Sequence, residues 1–246
     1  MAVKGNIFSD EEKKAMEKSL AEFKFQENII PTHHVLVISG QEGTGKTHLA
    51  CTAVEQGPVF LLDTEYRAGH VVRKFQDKNR VIKLTPCYNY KDIVIAVTYV
   101  VKNFNEGTII IDSGTDMQVF AEIAYLDKTK MEKIWPVFNW TEVWAMCNAI
   151  IDKIKHSNLN LIITTRVKEE YLADKATGRQ IPRIYNTLPY KADLCIQLFK
   201  DKKAPIDIYK NGYNNYEGIV IPKNLSIYGI ADFVQNFQPK TTERTK

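Results

Sequence analysis

The chain has 246 residues, 44% hydrophobic and 25% charged, which supplies one large α/β core with small additions and excludes an intrinsically disordered chain. Its net charge of +4 permits contact with nucleic acid without arguing for it. No apolar run reaches the roughly 18 residues of a membrane span, and the polar start "MAVKGNIFSDEEKK" has no apolar signal region, so a soluble cytoplasmic protein without a membrane partner is expected.

In chain order, residues 1–30 read as an N-terminal helical arm. Ser9 and Glu12 form a capping box, in which side chains satisfy free amides of the first turn, and the helix is expected over 9–24. Its loose stripe of Ala15, Leu20, Ala21 and Phe23 suits either docking on a neighbouring subunit or covering a sheet edge.

Residues 31–236 read as one core. Strands are expected at "HVLVIS" (34–39), "VFLLD" (59–63), "VIKL" (81–84), "GTIIID" (107–112) and "LNLIITTR" (159–166). Helices are expected at 46–57, 93–104 and 141–157. Near-continuous apolar strands alternating with amphipathic helices indicate a mostly parallel sheet covered on both faces.

From 168 to 225 the pattern turns antiparallel, with a hairpin turning at "KATGRQ" (175–180), strands at "ADLCIQLFK" and "PIDIYKNGYNNYEGIVIP", and an Asn211–Gly212 turn signal. A last helix is expected at 228–237, and residues 237–246 have the composition of a disordered tail. Cys51, Cys87, Cys147 and Cys195 are scattered, with no C-x-x-C pair and no histidine at ligand spacing. They read as reduced, buried thiols.

The chemistry concentrates at "VLVISGQEGTGKTHLA". Gly40, Gln41, Glu42, Gly43, Thr44, Gly45, Lys46 and Thr47 have the spacing G-x-x-x-x-G-K-T between a strand and a helix. Glycines there let backbone amides face phosphates at a helix N-terminus. Lys46 reaches the β- and γ-phosphates, and the Thr47 hydroxyl binds Mg²⁺. His48, in the first turn, lies near the α-phosphate or sugar, or is incidental.

Asp112, ending an apolar strand, is the candidate second anchor of the metal. Ser113 rather than an acid follows it, so the water-activating base must come from elsewhere. Glu65 in "LLDTEY" is the candidate, because a carboxylate at that strand end faces the γ-phosphate across the crevice of an open α/β sheet. Asp63 supports the strand end or the metal's surroundings.

The order "GQEGTGKT", "LLDTE", "IIIDS" resembles RecA-like recombinase ATPases. With "DTEYRAGH" and "LIITTRVKEEY", residues 33–200 look like the small RecA-core ATPases of bacteriophages and archaeal viruses or plasmids. The resemblance implies a RecA-like P-loop fold, ATP as nucleotide, Glu65 as catalytic base and assembly into a homo-oligomer. It also implies action on single-stranded DNA in recombination or replication, beside a single-strand-binding or replication protein, in the host cytoplasm if viral.

It further implies a γ-phosphate sensor at the end of "LIITTR", where Thr165 or Arg166 stands in place of the usual Gln or His. Lys175, Arg179, Arg183 and Lys191 are candidates for a single-strand grip or for a cation acting in the neighbouring protomer's site. A solvated hairpin explains the same residues. Trp135, Trp140 and Trp144 suit packing or base stacking, and Ile221 and Pro222 are candidate adenine contacts. A nucleotide or small-molecule kinase, a packaging or remodelling motor, and a nucleotide-gated binder with negligible turnover are the competing readings.

Overall fold

The fold is taken from a computed structural model, which describes residues 9, 11, 14, 15, 17, 33–75, 81–133, 137–185, 187–200, 206–213, 219–222 and 224–237. The chain divides into two compact units, Met1–Thr32 and His33–Lys246. In the first, residues 11, 14, 15 and 17 are helical. Glu12, Leu20, Ala21 and Phe23 of the expected arm lie outside the described residues, as do 238–246 of the expected tail.

The second unit is built on seven strands: β1 (Val35–Gly40), β2 (Val59–Asp63), β3 (Ile82–Pro86), β4 (Thr108–Asp112), β5 (Asn160–Thr165), β8 (Leu194–Leu198) and β9 (Ile206–Asn211), in the order β3-β2-β4-β5-β1-β8-β9. All neighbours are parallel except β8 and β9. β6 (Val167–Leu172) and β7 (Lys175–Pro182) form a two-stranded sheet of their own. The expected fold class, a mostly parallel sheet with helices on both faces and an antiparallel addition on the C-terminal side, is what is found.

Side-chain alternation along the strands separates two cores. One face presents Val37, Leu62, Ile111 and Ile163 to α3 (Tyr90–Asn103), α4 (Gly114–Thr129) and α5 (Val137–Lys155). The other presents Ile38, Leu61, Ile110 and Ile162 to α1 (Lys46–Cys51), α2 (Gly69–Val72) and α7 (Ile227–Gln235). A short α6 (Leu188–Lys191) precedes β8. Among the described residues no helix is long and apolar enough to cross a membrane. All four cysteines are free and buried, and burial pushes the Cys51, Cys147 and Cys195 thiols up to about 12.

Three differences from the expected elements have local causes. α3 starts at Tyr90, before residue 93, because the Asn89 side chain accepts a hydrogen bond from the Asp92 amide at 3.0 Å and caps the helix. α1 ends at Cys51, where the chain tightens into a 3-10 turn over Thr52–Glu55. α4 is the element the apolar pattern does not announce. Of its sixteen residues only Gly114, Thr115, Met117 and Ala121 are buried, so its stripe is too sparse for periodicity to show. Its signal is Ser113, whose side chain caps the first turn by accepting from the Asp116 amide.

Gly114 lets α4 lie close to β5: a Cβ there would overlap Ile163 Cγ2 and press on Ile184 Cδ1 at 3.1 Å. Gly114→Ala is therefore expected to destabilise by about 1–3 kcal/mol, seen as a melting temperature several degrees below the parent's. An unchanged melting temperature would refute this close packing.

Candidate active site

The loop after β1 is shaped by glycine. Gly45, the residue before α1, has φ +91°, a left-handed conformation strained for other residues. Lys46 folds back on the loop, its Nζ donating to the carbonyls of Gly40 and Gln41 at 2.9 Å each. The Thr44 hydroxyl donates to the Gln41 carbonyl at 2.8 Å, and Glu42 pairs with Arg67. Burial lowers the Lys46 pKa, opposed by the nearby carboxylates of Asp112 and Glu65.

β4 ends beside this loop. Asp112, only 6% exposed, accepts from the Thr47 hydroxyl at 2.7 Å and, on its other oxygen, from the Thr164 hydroxyl. Burial raises its carboxyl above the ordinary range, the two hydroxyl bonds pull it back, and the carboxylates of Glu65 and Asp63 push it up again. A hydroxyl and a carboxylate in contact beside a phosphate-binding loop fit Mg²⁺, which uses one or two protein oxygens and takes its other ligands from phosphates and water. Among the described residues no group of three or more His, Cys, Asp or Glu is placed to hold a metal on its own, so the fit is to a metal shared with a substrate.

Glu65 stands across the cleft. Its Oε1 accepts from Arg166 Nε and pairs with Arg166 Nη2, both at 3.0 Å, and the same Nη2 reaches Asp116 Oδ2 at 3.0 Å. Burial alone would lower the Arg166 pKa; the Asp116 and Glu65 carboxylates more than offset it and hold the guanidinium above its usual value. Asp63 is turned into the loop that carries Glu65, accepting from the amides of Glu65, Arg67 and Ala68 at 3.1, 3.4 and 3.0 Å. It therefore positions Glu65 through the backbone.

The resulting cleft, about 780 Å³, lies at the C-terminal ends of the strands and is lined by Gly40–Gly43, Gly45–His48, Glu65, Arg67, Asp112, Arg166 and the base of the β6–β7 ribbon at Lys168, Glu169 and Gln180. Loop, metal anchors, Glu65 and Arg166 thus converge in one place. Lys46→Ala would remove the charge-assisted phosphate contacts, worth about 1.5–3 kcal/mol. It is expected to weaken binding of a fluorescent ATP analogue by roughly 10–100-fold, and an unchanged affinity would contradict the site.

Several other candidates fall elsewhere. Thr165 is fully buried and its hydroxyl has no partner among the described residues. Alternation turns it to the opposite face of β5 from Thr164, and Thr164 is the threonine that meets Asp112. A pattern that fixes only the strand end leaves such adjacent residues indistinguishable. His48 packs its ring edge-on to Phe75 at 4.8 Å while lining the cleft. Ile221 is 8% exposed and joins the core, and neither it nor Pro222 lines the cleft.

Lys191 pairs with Asp152, before the N-terminal end of β8, whereas the phosphate loop follows the C-terminal end of β1. Lys175 and Arg179 lie on the exposed strand β7, and Arg183 is exposed just after it. Trp140 and Trp144 pack against the core, Trp144 stacking on Tyr185 at 6.4 Å between centroids. Trp135 lies outside the described residues.

Comparison with known proteins agrees with this geometry at the level of the domain. A family profile described as an AAA domain matches residues 32–226. A solved structure titled "ATPase Domain of G40P" is similar at 12% identity and a TM-score of 0.43, covering 85% of this chain and 92% of that one. No curated protein matches the chain. With the family profile spanning most of its length, the chain belongs to the AAA-domain family and carries a P-loop ATPase domain of that type.

Proposed function

We propose that this ATPase domain hydrolyses ATP with Mg²⁺ and works on single-stranded DNA in recombination or replication as a homo-oligomer in the cytoplasm. The observation that carries the reading is the convergence of Lys46, Thr47, Asp112, Glu65 and Arg166 on one cleft. Lys46 has two donors engaged by loop carbonyls and exchanges them for β- and γ-phosphate oxygens. Thr47 and Asp112 would hold Mg²⁺, whose charge would offset that of the phosphates.

Glu65 is the base for the attacking water. Arg166, bridging Glu65 and Asp116, senses the γ-phosphate: an incoming anion competes for the guanidinium and frees the Glu65 oxygen to take the proton. For DNA, the cations of β7, Lys175 and Arg179, together with Arg183, offer phosphate contacts on a ribbon that stands beside the cleft. The first unit, in which residues 11, 14, 15 and 17 are helical, serves as an N-terminal arm.

The test is phosphate release from ATP and Mg²⁺ with and without single-stranded DNA across a salt series. DNA stimulation that fades steeply with salt is expected, because phosphate contacts release counterions. Transfer of phosphate to a nucleoside or nucleotide, with indifference to DNA, would replace this reading by a kinase. Dependence on double-stranded DNA would replace it by a motor.

A further inference from the structure

Glu65 and its neighbour Tyr66 are drawn in opposite directions just beyond the end of β2. Glu65 meets Arg166, which follows β5. The Tyr66 hydroxyl instead donates to the carbonyl of Cys87, which follows β3, at 2.9 Å. β3 lies on one side of β2 in the sheet, and β4 and β5 lie on the other. Between the two side chains the backbone turns sharply: Tyr66 has φ +58°. A residue with a bulky side chain adopts this left-handed conformation only where its surroundings impose it, and such strain collects at functional sites.

Two contacts impose it. The first is the hydrogen bond to Cys87, a firm acceptor, since Cys87 is fully buried and its own amide donates to the Asp63 carbonyl at 3.0 Å. The residue that receives the Tyr66 hydroxyl is thus itself tied to the end of β2. The second is a ring stack on Tyr88, with 4.8 Å between centroids and 21° between planes. Tyr88 is held in turn, its amide donating to Asp92 Oδ2 at 2.9 Å beside the capped start of α3. Tyr66 and Tyr88 are 50% and 64% exposed, so a place in the core does not account for the pair.

We infer that Tyr66 is a positioning residue for the base: anchored beside β3, it fixes the turn after Glu65 and so the direction in which the Glu65 carboxylate leaves the chain. Asp63 holds the amides of residues 65, 67 and 68, on either side of the turn, and Tyr66 restrains the turn itself. This anchor matters most in the reacting state. Once Arg166 swings to the γ-phosphate, Glu65 no longer has the guanidinium to aim it, and its direction depends on its backbone. A misplacement of about 1 Å can cost a reaction roughly 10²-fold. The inference rests on Glu65 as the base in the proposed function.

Single-turnover hydrolysis of ATP with Mg²⁺ tests it on Tyr66→Ala and Tyr66→Phe, each alone and combined with Glu65→Gln, beside equilibrium binding of a fluorescent ATP analogue. Alanine removes both anchors and is expected to slow hydrolysis by about 10–100-fold. Phenylalanine keeps the stack, loses one hydrogen bond and is expected to slow it by about 3–10-fold. Affinity for the analogue stays within about threefold in both, a split between turnover and binding that general damage to the fold would not give. Because Tyr66 acts through Glu65, adding Tyr66→Ala to Glu65→Gln is expected to lower the residual rate by less than about twofold. Parental hydrolysis by Tyr66→Ala, or a full further loss on the Glu65→Gln background, would overturn the inference and leave the base standing. Parental hydrolysis by Glu65→Gln would remove the base and the inference together. Should Tyr66→Ala fail to bind the analogue, Tyr66→Phe decides by the same criteria.

Discussion

Glu65→Gln is expected to cut ATP turnover by about 10²–10⁴-fold, the usual contribution of a positioned general base, while leaving nucleotide affinity within about threefold. The separation follows from the geometry. Among the described residues Glu65 makes no hydrogen bond to the phosphate loop; its partner is Arg166, at 3.0 Å. Glutamine keeps the carbonyl oxygen that accepts from Arg166 and loses only the capacity to take a proton. The loop that carries residue 65 stays in place because Asp63 holds the amides of residues 65, 67 and 68. Single-turnover hydrolysis and equilibrium binding of the same preparation check both halves. A variant retaining more than about a tenth of parental turnover would remove Glu65 from the mechanism.

Asp112→Asn is expected to trade activity for stability. The carboxylate is almost completely buried, and its hydrogen-bond partners among the described residues are two neutral hydroxyls, from Thr47 and Thr164. Two hydroxyl bonds do not replace the hydration of a full negative charge, which is why burial raises its pKa. An amide of the same shape keeps an acceptor for one threonine and offers a donor to the other, without the charge. The ligand-free variant should therefore melt a few degrees higher than the parent, while Mg²⁺-dependent hydrolysis falls by at least about 100-fold because the anionic anchor is gone.

The sign with pH follows from the raised value. The folded parent pays for the ionised carboxylate at neutral pH and is relieved as pH falls through the raised folded value, so the advantage of asparagine should shrink as the solution is acidified. Thermal melts without metal along a pH series measure it. An advantage that grows on acidification would mean that the carboxylate is stabilised as an anion in the native state.

Both predictions concern residues that local pattern singles out. The spacing from Gly40 to Thr47 requires a strand before and a helix after it, and both are present, because glycine conformations and the orphan amides of a helix start are properties of a few consecutive residues. Asp112 ends an apolar strand, and Glu65 stands just beyond the end of another, at Asp63, so short stretches of chain point to both. The alternation of buried strands and amphipathic helices fixed the α/β class, since each strand carries its own record of being covered on both faces.

Other features depended on residues far apart in the chain. Thr164 and Thr165 are equivalent to any local rule; only the register of β5 against β4 and β1 sends one to Asp112 and the other to the opposite face. The hairpin turn at Ala173–Asp174 lacks the Asn-Gly or Asp-Gly signal, and its place is set by the pairing of Tyr171 with Ala176 and Leu172 with Lys175, not by "KATGRQ". α4 escaped because few of its residues are fully buried and they lie in its first half.

The sequence by itself thus determined the layer architecture, the phosphate loop and the acids at the strand ends, all written within short stretches of chain. Tertiary structure alone decided that Arg166 engages Glu65 and that Thr164, not Thr165, meets Asp112. Those contacts join residues tens to a hundred positions apart, and only the strand order β3-β2-β4-β5-β1-β8-β9 brings them together or keeps them separate.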